Sequence, residues 1–370
     1  MKIIFTGGGT MGHILPIVAV VREIRKIYPG PDIKLYYIGP RHDYGSVLMQ
    51  EANVKIHNIL TGKIRRYFDV RNFIDILKVP VGILQSFCLL FWLSPDLVFS
   101  KGGYGSFPLS FAAFILRVPI ILQESDFHAG LAAKIISRFA SQIFTSFPGT
   151  EYFPKDKTMC LGNPIRKDLL NGSKEKAKTM FNLMGDKPML LILGGSLGAQ
   201  SINNLILEIL QGLLKNFEIL HQTGQANIKI VEMEAKAYLN EKTAPYYHSL
   251  PFFNEEQLKN ALSVADFIIS RAGAGALFEI AAVKKPSLLI PLPNSAQDHQ
   301  VKNAYRLAEA GAAEIVEEQN LKPNFFLQRL ESIALNPRIT EAMSKNAGEF
   351  AKPEAAHQIA NFIIEFLSLN

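Results

Sequence analysis

The strongest constraint on the fold is an alternation that runs through the first half of the chain and starts afresh in the second. An apolar run rich in β-branched and aromatic residues ends in a turn, and apolar residues at helical spacing follow. Residues 2–7 (KIIFTG), 33–39 (IKLYYIG), 96–102 (DLVFSKG) and 119–125 (PIILQES) read as strands, and residues 14–27 as a helix closing on YPGP. After Asn163-Pro164 the pattern restarts with residues 189–196 (MLLILGGS), 217–224 (FEILHQTG), 265–273 (ADFIISRAG) and 286–293 (PSLLIPLP). Strands alternating with helices make a parallel sheet covered on both faces. A chain of 370 residues exceeds one ordinary core. The expectation is an α/β protein of two doubly wound domains, residues 1–163 and 164–352, followed by a last helix within 353–370 that has no strand after it.

Two cysteines, Cys88 and Cys160, are too few for a disulfide framework, which points to a reducing compartment. Glycines from Gly7 onward leave no room for the apolar stretch of a secretory signal. A net charge of +6 with pI near 9.1 admits an anionic partner without choosing between phosphate, nucleic acid and membrane.

The first turn reads GGGTMGH, and Gly7-x-Gly9-x-x-Gly12 matches the dinucleotide-binding spacing. That fingerprint also needs an acidic residue closing the second strand, to bind the ribose hydroxyls. Here the strand ends Ile38-Gly39-Pro40-Arg41, so an NADP oxidoreductase is disfavoured, with Arg41 the one group suited to a 2′-phosphate. What the turn supports in general is an anion at a helix N-terminus. His13 follows in the first helical turn, where the positive helix end disfavours its imidazolium form and leaves a proton acceptor. Alone, such a histidine would merely hydrogen-bond a nearby carbonyl; beside the glycine turn the reading tips towards function.

Three more glycine turns follow strands: SKGGYGSFP (100–108), LGGSLGAQ (193–200) and SRAGAGALFE (270–279). In the last of these Glu279 falls early in the next helix, where a carboxylate can take two ribose hydroxyls. Residues 293–304 form a polar loop entering a helix, with Gln297 and Gln300 suited to sugar hydroxyls. Asp298 and His299 lack a further ligand at metal spacing, so no metal is expected. Walker-lysine and H-E-x-x-H patterns do not occur.

Taken in order, GGGTMGH, KGGYGSFP, QESDFHAGLAAK, GNPIR, GGSLGAQSINN, SRAGAGALFEIA and QDHQVKNA resemble the MurG family of peptidoglycan glycosyltransferases, over about residues 3 to 360. The resemblance implies a GT-B architecture, two Rossmann-like domains facing across a cleft with the last helix returning to the first. It implies inverting, metal-independent and cofactor-free transfer of N-acetylglucosamine from UDP-N-acetylglucosamine to the 4-hydroxyl of an undecaprenyl-diphosphate-linked N-acetylmuramyl-pentapeptide. By matched position, His13 becomes the candidate base and Glu124 a carboxylate for the acceptor or for His13, with the proton's taker left open. Donor contacts would come from Gly9, Thr10, Met11, Arg166, Ser196, Asn203, the Phe253 backbone, the run Ala274, Gly275, Ala276, Leu277, Phe278 and Glu279, and Gln300. Acceptor contacts would come from Gly12, Gly102, Gly103, Tyr104 and Asp126. Met11 stands where the family has a glycine, which is expected to crowd that loop; Leu197 replaces a usual glutamine and Asp126 a frequent asparagine.

A lipid-linked acceptor implies peripheral attachment to the cytoplasmic face of the cell membrane. Residues 63–78 (KIRRYFDVRNFIDILK) interleave basic and aromatic side chains, as on a surface for anionic lipid. Residues 79–93 are nearly all apolar, too short to span and interrupted by Pro80, and residues 83–93 read as a buried helix. No nucleic-acid partner is expected. The competing readings are a UDP-N-acetylglucosamine epimerase, a glycolipid synthase using diacylglycerol, and a non-catalytic sugar-nucleotide sensor.

Overall fold

Each half of the chain builds one parallel sheet, and the two sheets share a topology. In the computed structural model, which describes residues 1–62, 71–150, 152–195, 198–293 and 295–369 less the side chains of 43, 71–74 and 296, the chain divides into two units. One is Met1–Arg166 with Lys352–Asn370; the other is Lys167–Ala351.

The first unit holds β1 (Lys2–Thr6), β2 (Lys34–Gly39), β3 (Lys55–Asn58), β4 (Leu97–Ser100), β5 (Ile120–Glu124), β6 (Gln142–Thr145) and β7 (Thr158–Cys160), in the order β3-β2-β1-β4-β5-β6-β7. The second holds β8 (Met189–Leu193), β9 (Glu218–Gln222), β10 (Tyr247–Leu250), β11 (Phe267–Ser270), β12 (Ser287–Leu289) and β13 (Ala313–Ile315), in the order β10-β9-β8-β11-β12-β13. Strand order therefore reverses between β1 and β4 in one sheet, and between β8 and β11 in the other. Such reversal points are where open α/β sheets bind ligands, outside the strands' carboxyl ends. The four glycine turns of the sequence follow these four strands.

Alternate residues of β1 feed opposite faces. Ile3 and Phe5 pack with Ile14, Ile17 and Val18 of the first helix (Met11–Ile27), and with Ile359, Ala360 and Ile363 of the terminal helix (Ala355–Leu369). Ile4 packs on the other side with Leu90, Leu109 and Ala113. In the second unit Leu190 and Ile192 join one core and Leu191 and Leu193 the other.

Two expectations are corrected. The first helix begins at Met11, three residues before the periodic pattern, because Thr10 supplies an extended N-cap and Pro16 forgoes only its bond to an early carbonyl. The apolar helix runs unbroken from Arg71 to Leu93 through Pro80, and it is not buried. Its stretch Asp75–Leu93 is long and apolar enough to cross a membrane, with 22% of it buried. Asp75, Gly82, Ser86, Leu90 and Leu93 face inward, while Leu77, Leu84, Phe91 and Trp92 are exposed at 71%, 64%, 74% and 75%. The seat is close at one point: a side chain at Gly82 would collide with the Leu60 carbonyl.

Candidate active site

The first unit's two glycine turns lock into each other backbone on backbone. A Cβ at Gly8 would come 2.8 Å from the Gly105 nitrogen, and one at Gly105 would come 2.6 Å from Gly8 Cα. Tyr37, on β2, donates its hydroxyl to the Gly7 carbonyl at 3.0 Å, and burial raises that phenol's pKa further. Gly9 has φ +51°, and the Tyr104 hydroxyl lies against it in the space its side chain would need. In a dinucleotide site the second glycine leaves that space for pyrophosphate. Here the protein's own Tyr104 fills it, a second count against the NADP reading after the missing acid. Gly12 is exposed.

His13 sits half-buried in this interlock. Its Nδ1 is 3.0 Å from the Thr10 hydroxyl, and its Nε2 stands 2.9 Å from the position of a Cβ on Gly103, whose φ is +76°. Only glycine fits there, for want of both space and a permitted conformation. The absent Cβ of Gly102 would lie 3.9 Å from Glu124 Oε2. His13 thus lies against Gly103 and Glu124 near Gly102, in the turn at the switch point. Met11 is half-buried and packs on the core cluster of β1, β2 and the first helix.

Glu124 closes β5 and is 7% exposed. It accepts from the Asp126 amide at 3.1 Å and the Gly130 amide at 3.4 Å, so it shapes the loop leading to the helix Leu131–Ile136. Burial and the neighbouring Asp126 charge raise its pKa to about 7, against the pull of Lys101 and of the two amides. Lys101 is 1% exposed and donates to Ser125 Oγ at 2.5 Å; that hydroxyl donates to Asn163 Oδ1. Burial lowers the Lys101 pKa. Sequence reading passed over Lys101 because a lysine beside a glycine turn looks solvated. Arg166, the last residue of the unit's first segment, is buried.

In the second unit the helix Ala274–Ala282 starts directly after β11, with Gly273 as an extended N-cap. Built side chains at Gly273 and Gly275 would meet nothing within 4 Å, so the approach to this helix end is open. The amide of Leu277 already bonds to the Gly273 carbonyl at 3.1 Å. The helix-end N–H groups suited to an anion therefore belong to Gly273 through Ala276. Leu277 and Phe278 are buried, which leaves their side chains to seat the helix, while Gly275, Ala276 and Glu279 share its half-exposed face.

Behind the turn after β8, Gln222 donates to the Gly195 carbonyl at 2.7 Å. Asn203 is wholly buried, donating to the Thr223 carbonyl and meeting His221 Nε2 at 3.1 Å. Burial lowers the His221 pKa to about 3. The Asn203 side chain is thus tied to β9 and to the residue that follows it. Ser196 and Leu197 lie outside the described residues. Phe253 packs its ring edge-on to Phe181, and its backbone ends the loop after β10. Gln297 and Asp298 hold left-handed φ of 63° and 53° before the helix His299–Glu309, and Gln300 Oε1 accepts from the Leu292 amide at 3.0 Å. Among the described residues no three His, Cys, Asp or Glu side chains cluster as metal ligands.

The glycosyltransferase family 28 N-terminal domain matches residues 3–145, and its C-terminal domain residues 189–359. The UDP-N-acetylglucosamine–N-acetylmuramyl-(pentapeptide) pyrophosphoryl-undecaprenol N-acetylglucosamine transferase of Clostridium kluyveri is 34% identical over 367 residues, 99% of each chain. The crystal structure of Acinetobacter baumannii MurG superposes with TM-score 0.75 at 26% identity, covering 98% of this chain and 99% of that one. A Neisseria meningitidis UDP-N-acetylglucosamine 2-epimerase, at 15% identity and TM-score 0.68 over 99% of this chain and 100% of its own, shares the fold alone.

Two parallel-sheet domains with paired glycine turns at their switch points give the GT-B fold, and the two family 28 domains that match them make the chain a glycosyltransferase. Within that class the full-length likeness decides the branch. The chain belongs to the MurG family.

Proposed function

We propose that this enzyme transfers N-acetylglucosamine from UDP-N-acetylglucosamine to the 4-hydroxyl of N-acetylmuramyl-pentapeptide on undecaprenyl diphosphate, with inversion, in peptidoglycan synthesis. The relatives' names supply the substrates; the observation in this chain that supports the chemistry is His13 against Gly103, with Glu124 near the adjoining Gly102. His13 is half-exposed and Glu124 almost wholly buried, so His13 takes the acceptor proton. As the acceptor oxygen bonds to the sugar's anomeric carbon, the bond to UDP breaks and its electron pair leaves with the diphosphate. The amides of Gly273 to Ala276 suit a diphosphate that gathers this charge, and Glu279 on the same helix suits the ribose. Gly12, Tyr104 and Asp126 border the acceptor.

The helix Asp75–Leu93 seats the protein on the cytoplasmic face of the membrane. Its packed side is narrow, Asp75, Gly82, Ser86, Leu90 and Leu93, and its open side holds Leu77, Leu84, Phe91 and Trp92, apolar residues that a core helix would bury. One packed face also argues for lying on the bilayer rather than spanning it. Of residues 63–78, read as a surface for anionic lipid, 63–70 lie outside the described residues.

The test is a transfer assay with labelled UDP-N-acetylglucosamine, a muramyl-pentapeptide lipid diphosphate, detergent and EDTA. Label is expected in the lipid product, and His13→Ala is expected to lower turnover roughly 10²–10⁴-fold while leaving UDP affinity intact. Label moving only into diacylglycerol would overturn the acceptor, and epimerised sugar nucleotide formed without any acceptor would overturn the reaction.

A further inference from the structure

We propose that Lys101 is a positioning residue of this site, the buried cation that, through Ser125 and Asn163, fixes the loop carrying Glu124 and Asp126 behind the glycine turns. The proposal rests on the reading of Glu124 as part of the transfer site. Lys101 occupies the first position after β4, its amide bonded to the Thr6 carbonyl at 2.8 Å across the switch point. Its Cβ lies 3.1 Å from where a Gly7 side chain would begin, so the lysine stem runs behind the first turn while its own backbone opens the second.

The head group ends in a built polar relay. Nζ donates to Ser125, Ser125 donates to Asn163, and Ser146, which bonds the Glu124 carbonyl at 3.1 Å, also reaches Asn163 at 3.3 Å. Segments 24 and 38 residues apart are joined by two of these links. The charged groups facing Glu124 are Lys101 from the end of β4 and Asp126 from its own loop, while the amides of Asp126 and Gly130 complete its shell.

Burying an ammonium costs several kcal/mol, and a methionine stem would pack the same space without that cost. A buried cation bonded to the residue between two carboxylates is explained by what it does to that loop. Without it Glu124 would hold its proton to higher pH, because burial and Asp126 both oppose ionisation and Lys101 is the charge that favours it. The two neighbours therefore push Glu124 in opposite directions, which gives the test its sign.

The experiment titrates the Glu124 side-chain carboxyl by carbon-13 NMR in full-length protein without substrate, the resonance assigned by its loss in Glu124→Gln. Lys101→Met should raise the midpoint by about one pH unit or more, a tenfold change in proton affinity, and Asp126→Asn should lower it. Should Lys101→Met not fold, Asp126→Asn and Ser125→Ala carry the test, the latter shifting the midpoint by releasing Nζ from its anchor. In the transfer assay Lys101→Met should lower kcat roughly tenfold or more, move the acidic limb of the pH profile upward, and leave KM for UDP-N-acetylglucosamine unchanged. Midpoints unmoved in every folded variant would overturn the proposal. A chain that titrates as expected yet transfers no sugar would keep the charge relay and overturn the proposed function instead.

Discussion

Tyr104 and Gly9 show how a motif's letters and its use come apart. The GxGxxG spacing is met, yet the space left by Gly9 is filled by Tyr104. The glycine therefore answers to a neighbouring loop. Gly9→Ala adds a clash to a left-handed backbone and should destabilise the protein by about 2–4 kcal/mol. Gly9→Ala/Tyr104→Ala removes the clash and should recover part of that loss relative to the two single variants added together. A urea-unfolding double-mutant cycle measures the coupling; strict additivity would mean the two residues do not meet. His13 and Glu124 were legible because each stands beside a glycine turn or closes a strand. Lys101 was not, since its partners Ser125, Asp126 and Asn163 come together only when β4, β5 and the segment after β7 are assembled.

At the scale of elements, strands buried on both faces gave continuous apolar runs and could be read directly. The edge strands β3, β7 and β13 are three or four residues long and mostly exposed or half-exposed, so neither a run nor an alternation marks them. The helix Arg71–Leu93 misled in the other direction. Its apolar composition suits a core, and only the packed structure shows that a narrow side faces in while Leu77, Leu84, Phe91 and Trp92 face out. Leu84→Gln/Phe91→Gln/Trp92→Gln should therefore not lower the melting temperature, because these side chains lose no buried contact. The same variant should lose co-sedimentation with vesicles containing anionic lipid, and should still bind UDP. A large drop in melting temperature with vesicle binding intact would mean that this face is covered within the protein.

For the molecule as a whole, chain order and domain membership part company at the C-terminus. The second unit is one continuous segment, whereas the first is completed only when Lys352–Asn370 returns to it. Ile359, Ala360 and Ile363 are fully buried in the first unit's core, and His357 meets Glu23 of the first helix at 3.1 Å. Burying the two isoleucines contributes about 3–6 kcal/mol, a large share of the roughly 5–15 kcal/mol by which a domain is stable. Deleting residues 352–370 should therefore unfold or strongly destabilise the first unit while the second, with cores of its own, keeps its structure and its affinity for UDP. Differential scanning calorimetry with and without UDP would resolve this: one transition should move sharply down or vanish, and the nucleotide-shifted transition should stay. Both transitions lost together would show that the units are stabilised as one body. Both unchanged would show that the terminal helix adds nothing to the first core.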